Sequence, residues 1–173
     1  MVWLYIALTL VIGYLLGDLN GAVLVSHMFK DDVRTHGSGN AGLTNFIRSY
    51  GATHALLVVA VDALKAVAAC LIGGLLLKPY GMYAEGTALG GLAVLLGHIF
   101  PVFLGFRGGK GILSGLFVAL VVDWRIAVLI LAVFAVAYLP PAMFLWVLCL
   151  PLPALASVLL CSIMIIGSYY CAA

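Results

Sequence analysis

The chain has 173 residues, of which 66% are hydrophobic and only 8% are charged, and its mean hydropathy is +1.27. Because a soluble domain carries roughly 25% charged residues, this composition excludes an ordinary soluble protein, and the net charge of +2 is too small to indicate a nucleic-acid-binding protein. Each membrane span needs about 20 apolar residues, so we predict an all-α, polytopic bundle of about five to seven short or broken transmembrane spans. We expect residues 1–173 to form a single integral membrane domain.

The first apolar segment, Val2–Leu16, has no basic residues before it and no small-residue cleavage site after it, so we interpret it as a retained span. Asp18 and Asn20 follow within apolar sequence, flanked by Gly17 and Gly21. A carboxylate at membrane depth is costly unless it faces protein or water. The segment is therefore either a broken helix that lines a polar cavity or a helix that ends near Asp18 and is followed by a short re-entrant piece.

The longest polar segment is Lys30–Gly51, and its centre, Gly37–Asn45, combines glycines with uncharged hydrogen-bonding side chains. Arg48 follows Asn45 by about one helical turn, and its guanidinium group offers a bidentate fork suited to phosphate. The segment is either a binding loop or a plain loop rich in Gly, Ser and Asn. Its uncharged candidate binding residues are Ser38, Asn40, Thr44 and Asn45.

Other polar residues allow simpler interpretations. The second span, Ala52–Leu77, contains Asp62 and Lys65 one turn apart, and we expect them to neutralise each other as a packing ion pair or as a support for the site. His98, near the end of the third span, is on position alone either a residue of the membrane interface or part of a site. The charged residues at the start of the polar segment are interpreted as a solvated rim: Asp31, Asp32 and Arg34.

A second polar segment, Gly97–Gly111, joins the third span, Thr87–Phe100, to a helix predicted from Ile112. It carries Arg107 and Lys110. Glycine lets the backbone bring successive N–H groups close to an anion, and the positive end of the following helix dipole would point to the same place. We predict a phosphate cradle, which is not a Walker A loop because glycine follows the lysine. The glycines around the lysine are Gly108, Gly109 and Gly111.

Two predicted spans separate the polar segments, so both segments face the same side of the membrane and can form one site. Five of the eight Lys and Arg residues lie there, and the positive-inside rule makes this side cytoplasmic. Beyond the second segment we predict shorter spans, of which Ala142–Leu150 and Ala154–Tyr170 are the last. The cysteines show no metal-site or redox spacing and are interpreted as small hydrophobic residues: Cys70, Cys149, Cys161 and Cys171.

The two polar segments resemble the signatures of a known family. Gly37-Ser-Gly-Asn-Ala-Gly-Leu-Thr-Asn-Phe-Ile-Arg48 resembles the first signature of the bacterial membrane glycerol-3-phosphate acyltransferases that use acyl phosphate, the PlsY family. Gly97-His-Ile-Phe-Pro…Phe106-Arg-Gly-Gly-Lys-Gly111 resembles the second. The spacing of Asp62 and Lys65 is also similar to the family's, and the resemblance extends from about Gly13 to Gly115.

The resemblance implies acyl transfer from acyl phosphate to the 1-hydroxyl of sn-glycerol 3-phosphate, which gives lysophosphatidic acid and phosphate as the first step of phospholipid synthesis. It implies a compact multi-pass bundle in the bacterial cell membrane with its active site on the cytoplasmic face. Acyl phosphate and glycerol 3-phosphate are the expected substrates and the lipid bilayer the expected surroundings. No cofactor, metal, CoA or nucleic acid is expected.

The resemblance also suggests roles for residues. His98 is a general base, or an orienting or phosphate-binding group, and the donor's own phosphate is an alternative acceptor for the proton. Ser38 is the candidate covalent nucleophile. Asp62 and Lys65 are expected to support the site. The residues expected to bind phosphate or glycerol are Asn40, Thr44, Asn45, Arg48, Arg107, Gly108, Gly109, Lys110 and Gly111.

The sequence departs from the family in three places. The family's third motif, which begins His-Arg-x-Asn, has no counterpart in Ala154–Ala173. Ile112-Leu113-Ser114 replaces the usual Val-Ala-Thr, and Asp18 and Asn20 stand where small or apolar residues are usual. A second interpretation is therefore a catalytically impaired paralogue, or a membrane protein that binds or transports phosphate esters.

Overall fold

The computed structural model describes residues 1–137, which contain seven α-helices and no strand. Met1–Trp124 is one compact unit that holds the first six helices, and a second unit begins at Arg125 within the seventh. The all-α prediction is confirmed for this part of the chain. The helices are α1 (Val2–Asp18), α2 (Gly21–Met28), α3 (Leu43–Tyr50), α4 (Ala52–Leu77), α5 (Tyr83–Ile99), α6 (Ile112–Val122) and α7 (Trp124–Ala137).

Two helical segments, Ala52–Tyr80 and Tyr83–Leu104, are long and apolar enough to cross a membrane. The bent pair of α1 and α2, with an angle of 41°, adds a third if it counts as one span, and α6 and α7 are shorter apolar helices. Large apolar side chains face outward, as lipid-facing helices require; Leu56 and Leu64 on α4 are 71% and 70% exposed. The last two predicted spans and the last three cysteines lie outside the described residues.

Glycines let the three longest helices approach each other to backbone contact. Gly90 of α5 lies so close to α4 that a β-carbon there would overlap the Ala69 carbonyl oxygen, and one at Gly97 would overlap the Tyr14 carbonyl oxygen of α1. Small residues permit this approach in membrane bundles. The glycines of the third predicted span therefore set how closely α5 packs against α1 and α4.

Two buried apolar clusters hold the helices together. One contains Val33, Phe46 and Val58, and it packs α3 and the chain before it onto α4. The other contains Cys70, a free cysteine, with Val94 and Val118, and it joins α4, α5 and α6. Val33 and Phe46 belong to the first polar segment, so apolar packing anchors that segment to α4.

The predicted break after the first apolar segment is present. Helix α1 ends at Asp18 and α2 begins at Gly21, with Asn20 between them accepting a hydrogen bond from the Val23 N–H group at 3.1 Å. Such a side-chain N-cap satisfies one of the free N–H groups of a helix start. The helix break therefore has a local chemical cause in the asparagine.

Helix α3 was not predicted, because the polar composition of Lys30–Gly51 favoured a loop. Its signal is the spacing of Leu43, Phe46, Ile47 and Tyr50, which places apolar side chains on one face of a helix. Phe46 is fully buried. The helix places Thr44, Asn45 and Arg48 on a rigid element.

Replacement of Gly90 by alanine tests the close packing of α4 and α5. The added methyl group would overlap the Ala69 carbonyl oxygen, and overpacking of this kind typically costs about 1–3 kcal/mol. Gly115→Ala is the matched control, because its β-carbon would make only ordinary contact with Leu95, at 3.8 Å. Thermal unfolding in detergent should show a loss of stability for Gly90→Ala alone; equal stability of the two variants would contradict the close approach.

Candidate active site

Asn45 determines the shape of the first polar segment. Its Oδ1 accepts a hydrogen bond from the Ser38 N–H group at 3.0 Å, and its Nδ2 lies 2.9–3.1 Å from the carbonyl oxygens of Val33, His36 and Asn40. The side chain is 2% exposed. Sequence reasoning expected Asn45 to bind phosphate or glycerol, whereas the structure commits its amide to the backbone of the segment.

Asp31, His36 and Tyr50 hold the outer side of this segment. The Tyr50 hydroxyl donates to Asp31 Oδ2 at 2.8 Å, and His36 Nε2 lies 2.7 Å from the same oxygen. The hydrogen bond from Tyr50, helped by the Asp32 N–H group, lowers the pKa of Asp31. Burial, with the bond to Asp31, raises the pKa of Tyr50 to about 12. The carboxylate is therefore the favoured form of Asp31 and the neutral phenol that of Tyr50.

Arg34 links the two polar segments, which corrects its interpretation as part of a solvated rim. Its guanidinium group pairs with Asp32 at 2.7 Å and donates to the Leu104 carbonyl oxygen at 3.2 Å. The hydrogen bond from Arg34 lowers the pKa of Asp32. The half-buried pair thus fixes the chain that leads into the glycine-rich loop.

Three backbone N–H groups of the glycine-rich loop make no hydrogen bond within the described part of the chain. Within residues 1–137, no hydrogen bond is donated by the backbone N–H groups of Gly108, Lys110 and Gly111. In the same part of the chain no acidic group pairs with Arg107 or Lys110, both of which are exposed. The loop ends at Gly111, whose φ of +75° suits glycine, and α6 begins at the next residue as predicted.

His98 lies in a buried polar cluster with Asp62 and Lys65. Lys65 Nζ lies 2.8 Å from Asp62 Oδ1, which confirms the expected ion pair, and also 2.8 Å from His98 Nδ1. The three side chains are at most 5% exposed. Asp62 also accepts from the Gly21 N–H group at 3.2 Å, and Lys65 donates to the Leu19 carbonyl oxygen at 2.8 Å.

The two polar segments meet at Gly109. A β-carbon there would overlap His98 Nε2 on one side and the Ala41 carbonyl oxygen on the other. The Gly109 N–H group donates to the His98 carbonyl oxygen at 3.1 Å, and Asn20 Nδ2 donates to the Ala41 oxygen at 3.0 Å. The prediction that both segments lie on one side and come together is therefore confirmed. Position 109 has room only for glycine.

Asp18 and Tyr14 of α1 hold the chain reversal before the glycine-rich loop. Tyr14 donates to the Phe100 carbonyl oxygen at 2.6 Å, and Asp18 Oδ2 accepts from the Phe103 N–H group at 3.3 Å. Asp18 is 4% exposed, and its Oδ1 has no hydrogen-bond partner within the described part of the chain. Sequence reasoning noted Asp18 but missed Tyr14, because no local pattern indicates a contact with a carbonyl 86 residues away.

A cleft of about 570 Å³ is lined by residues of both polar segments. It is lined from the first segment by Arg34 and Gly39 and from the second by Leu104 and Arg107, among others. It therefore contains one of the unpaired cations of the glycine-rich loop. His98 and Lys110 are not among its lining residues.

The remaining predicted site residues are described by their exposure and by whether their side chains already have a partner. Ser38 and Thr44 are exposed and Asn40 is half-buried, and their side chains make no hydrogen bond within residues 1–137. Arg48, on the outer face of α3, is exposed and has no acidic partner in the same range. No group of three His, Cys, Asp or Glu side chains in the described chain is arranged to hold a metal ion.

Asn45→Ala tests the structural role of this amide. Within residues 1–137, the substitution removes the only acceptor of the Ser38 N–H group and one hydrogen bond each from the Val33, His36 and Asn40 carbonyl oxygens, which keep a backbone N–H partner. Each lost hydrogen bond contributes about 0.5–1.5 kcal/mol. We expect earlier thermal unfolding and faster proteolysis of the polar segment. Ser49→Ala, on the exposed side of the same helix, is the control; equal behaviour of both variants would contradict this role.

Tyr50→Phe tests the pH dependence of the hydrogen bond from the Tyr50 hydroxyl to the Asp31 carboxylate. Because the folded-state pKa of Asp31 is lowered, its stabilisation is present above the unfolded pKa of about 3.9 and is lost as the pH falls through the folded value. The stability difference between wild type and Tyr50→Phe should therefore be larger at pH 7 than at about pH 3. Urea unfolding checks this, with Tyr83→Phe as control. A stability difference between wild type and Tyr50→Phe that does not change with pH would contradict this contribution of the hydrogen bond.

The chain is similar to bacterial glycerol-3-phosphate acyltransferases. A glycerol-3-phosphate acyltransferase of Thermoanaerobacter pseudethanolicus is 44% identical over 131 residues, which are 75% of this chain and 64% of the relative. One from Neisseria meningitidis serogroup B is 44% identical over 110 residues, which are 63% of this chain and 55% of the relative. The chain thus spans less than two thirds of the length of these relatives.

A solved structure agrees in fold. The crystal structure of PlsY (YgiH), an integral membrane glycerol 3-phosphate acyltransferase, in its glycerol 3-phosphate form, matches with a TM-score of 0.64 and 35% identity, over 82% of this chain and 66% of that chain. The protein-family model described as Glycerol-3-phosphate acyltransferase matches residues 7–172 of this chain. The resemblance inferred from the two motifs is confirmed: the chain belongs to the glycerol-3-phosphate acyltransferase family.

Proposed function

We propose that this chain transfers an acyl group from acyl phosphate to the 1-hydroxyl of sn-glycerol 3-phosphate, with lysophosphatidic acid and phosphate as products. The observation that carries the proposal is the junction at Gly109, where His98 and Ala41 bring the two family motifs into contact. Free N–H groups and the exposed Lys110 lie in the same loop. Family membership supports the same reaction.

Binding two phosphate-bearing substrates is the main electrostatic task of this reaction. Two anions held close together repel each other unless cations or N–H dipoles neutralise them. Arg107 and Lys110 on one segment and Arg48 on the other supply positive charge without an acidic partner within residues 1–137. The backbone N–H groups beside Lys110 add donors of the kind that cradle phosphate. These groups are our proposed phosphate ligands.

In this proposal, uncharged side chains orient the glycerol hydroxyls through hydrogen bonds. Ser38, Asn40 and Thr44 have uncommitted hydrogen-bonding groups, whereas Asn45 holds these residues in place through the backbone. Attack on the acyl carbon builds an oxyanion that preorganised donors stabilise. Because acyl phosphate is already activated, holding the hydroxyl against the acyl carbon supplies much of the rate.

No covalent intermediate is required. The Ser38 side chain has no hydrogen-bonded base within the described residues, and a serine hydroxyl needs such a base to act as a nucleophile. We therefore propose direct transfer, with Ser38 as a binding residue. The proton of the attacking hydroxyl goes to His98 or to the phosphate of the donor.

We further propose a multi-pass location in the bacterial cell membrane with the site on the cytoplasmic face. The unpaired cations of the two polar segments support this orientation, because cytoplasmic segments carry an excess of Lys and Arg. Acyl phosphate is a lipid and glycerol 3-phosphate is water-soluble, so a site at the membrane surface gives both substrates access. In this proposal residues 1–173 act as one acyltransferase domain.

Lys110→Ala tests the proposed function. Purified protein in detergent or lipid cubic phase receives palmitoyl phosphate and glycerol 3-phosphate, and mass spectrometry detects lysophosphatidic acid. Loss of a preorganised charged donor should lower turnover about a hundredfold or more. Lys78→Ala is the matched control. Lys78 is exposed and directly follows the C-terminal end of α4, whereas the first polar segment leads into the N-terminal end of that helix.

Folded wild-type protein that binds glycerol 3-phosphate without forming product would overturn the acyltransferase proposal. It would instead support the second interpretation, a family member that binds phosphate esters. Equal turnover of Lys110→Ala and wild type would remove Lys110 from the proposed phosphate ligands.

A further inference from the structure

The chain between α1 and α2 is fixed to the interior of the bundle. Lys65 Nζ on α4 donates to the carbonyl oxygens of Gly17 and Leu19, at 3.3 and 2.8 Å. Asp62 Oδ1, on the same helix, accepts from the Gly21 N–H group at 3.2 Å. One buried ion pair therefore holds the backbone before, within and after the helix break, which is a fixed point of the structure.

Two polar side chains at this break reach the two polar segments separately. Asn20 Nδ2 donates to the Ala41 carbonyl oxygen of the first segment at 3.0 Å, and Asp18 Oδ2 accepts from the Phe103 N–H group of the second at 3.3 Å. Asp18 and Asn20 are 4% and 1% exposed, so water does not compete for these contacts. Only Leu19 separates the two residues along the chain.

The contact of Asp18 lies in the turn on which the glycine-rich loop packs. The Phe106 N–H group donates to the Pro101 carbonyl oxygen at 2.8 Å, which closes this turn around Phe103. Gly108 packs against it, since a β-carbon there would lie 2.6 Å from Pro101 Cδ. A displacement of the turn is therefore passed to the loop that carries the proposed phosphate ligands.

The contact of Asn20 lies at the entry to α3. Ala41 is buried and stands directly before Gly42, the N-cap residue of that helix. Helix α3 carries Thr44 and Arg48, two of the proposed ligands of the first segment. The amide of Asn20 therefore sets the place of the helix start from which these ligands project.

We propose that Asp18 and Asn20 are positioning residues that together set the separation of the two phosphate-binding segments. Each substrate carries a phosphate, so the separation of the two sets of ligands decides whether the glycerol hydroxyl meets the acyl carbon. A misplacement of about 1 Å can lower a rate about a hundredfold. The proposal rests on the proposed acyltransferase function and deepens it, because it assigns a role to two side chains that bind neither substrate.

Each contact can be removed separately. Asn20→Ser keeps a good N-cap for α2 but is too short to reach the first segment. Asp18→Leu removes the acceptor at similar size, whereas Asp18→Asn keeps an oxygen that can accept from Phe103. Thr9→Val is the matched control, because Thr9 is 1% exposed on α1 and its hydroxyl donates to the Tyr5 carbonyl oxygen within that helix.

Hydrogen exchange of the full-length protein in detergent, followed by mass spectrometry, tests the contacts without substrate. Asn20→Ser should exchange about fivefold faster in residues 38–45, and Asp18→Leu in residues 101–109, as expected for the loss of one hydrogen bond. Asp18→Asn and Thr9→Val should match wild type in both segments. Unchanged exchange in the segment that a folded variant should release would overturn the proposal. Equal acceleration of both segments by either variant would also overturn it.

Turnover of palmitoyl phosphate with glycerol 3-phosphate tests the link to catalysis. We expect kcat to fall about tenfold or more in Asn20→Ser and Asp18→Leu. The KM for each substrate should change by less than about twofold, because each segment still binds its own phosphate. Asp18→Asn and Thr9→Val should keep the kcat of the wild type. A wild-type kcat in the two released variants, or a raised KM with unchanged kcat, would overturn the positioning role.

Tyr14→Phe replaces Asp18→Leu if the latter does not fold. The Tyr14 hydroxyl donates to the Phe100 carbonyl oxygen at 2.6 Å, so its loss releases the same turn without a change in buried charge. Exchange in residues 101–109 should rise, and unchanged exchange would overturn the link from α1 to this turn. If wild type forms no product, the proposed function fails, while hydrogen exchange still decides whether Asp18 and Asn20 hold the two segments.

Discussion

The buried ion pair of Asp62 and Lys65 is the interaction on which the arrangement of the helices depends. From α4, Asp62 binds the first N–H group of α2, and Lys65 binds the Leu19 carbonyl oxygen after α1 and His98 on α5. Removing one partner of such a pair leaves a buried charge, at a cost of about 3–5 kcal/mol. The pair therefore fixes the ends of three neighbouring helices and the orientation of His98.

The ion pair reaches these partners only because glycines bring the helices together. A β-carbon at Gly21 would lie 2.8 Å from the Val58 carbonyl oxygen and 3.1 Å from Asp62 Oδ1, which would displace the hydrogen bond that holds α2. Gly17 similarly allows α1 to contact the backbone of α5 beside His98. The small residues and the buried charges are thus two parts of one packing arrangement.

The sequence was sufficient for the features that depend on local patterns. Composition and glycine placement predicted the helices α4 and α5 and the break after Asp18, and the spacing of Asp62 and Lys65 predicted their ion pair. Helix α3 was missed because its apolar face is short and lies within a polar segment. Contacts between residues distant in sequence, such as Arg34 with the Leu104 carbonyl oxygen, leave no local pattern at all.

Side-chain chemistry alone also could not show which amides and hydroxyls of the first motif hold the segment in shape and which are free to bind a ligand. Asn40 and Asn45 carry the same groups, but only the fold determines that Asn45 is buried against the carbonyl oxygens of its own segment, while Asn40 keeps its amide free. The motif therefore combines residues that shape the segment with residues that face outward from it.

Buried and exposed charged groups differ in whether they have a partner, and this difference matters for phosphate binding. In the interior, Asp62 pairs with Lys65, whereas Asp18 accepts from the Phe103 N–H group through Oδ2 and its Oδ1 has no hydrogen-bond partner within residues 1–137. At the polar segments, Lys110 and Arg107 have no acidic partner within residues 1–137. The Gly97–Gly111 segment itself contains no Asp or Glu, so nothing within it neutralises the two cations, and their positive potential stays available to an incoming phosphate. Because like charges placed together repel, a bound anion stabilises the segments as it binds. The ion pair of Asp62 and Lys65 therefore neutralises charge in the interior, whereas Arg107 and Lys110 stay available to a ligand.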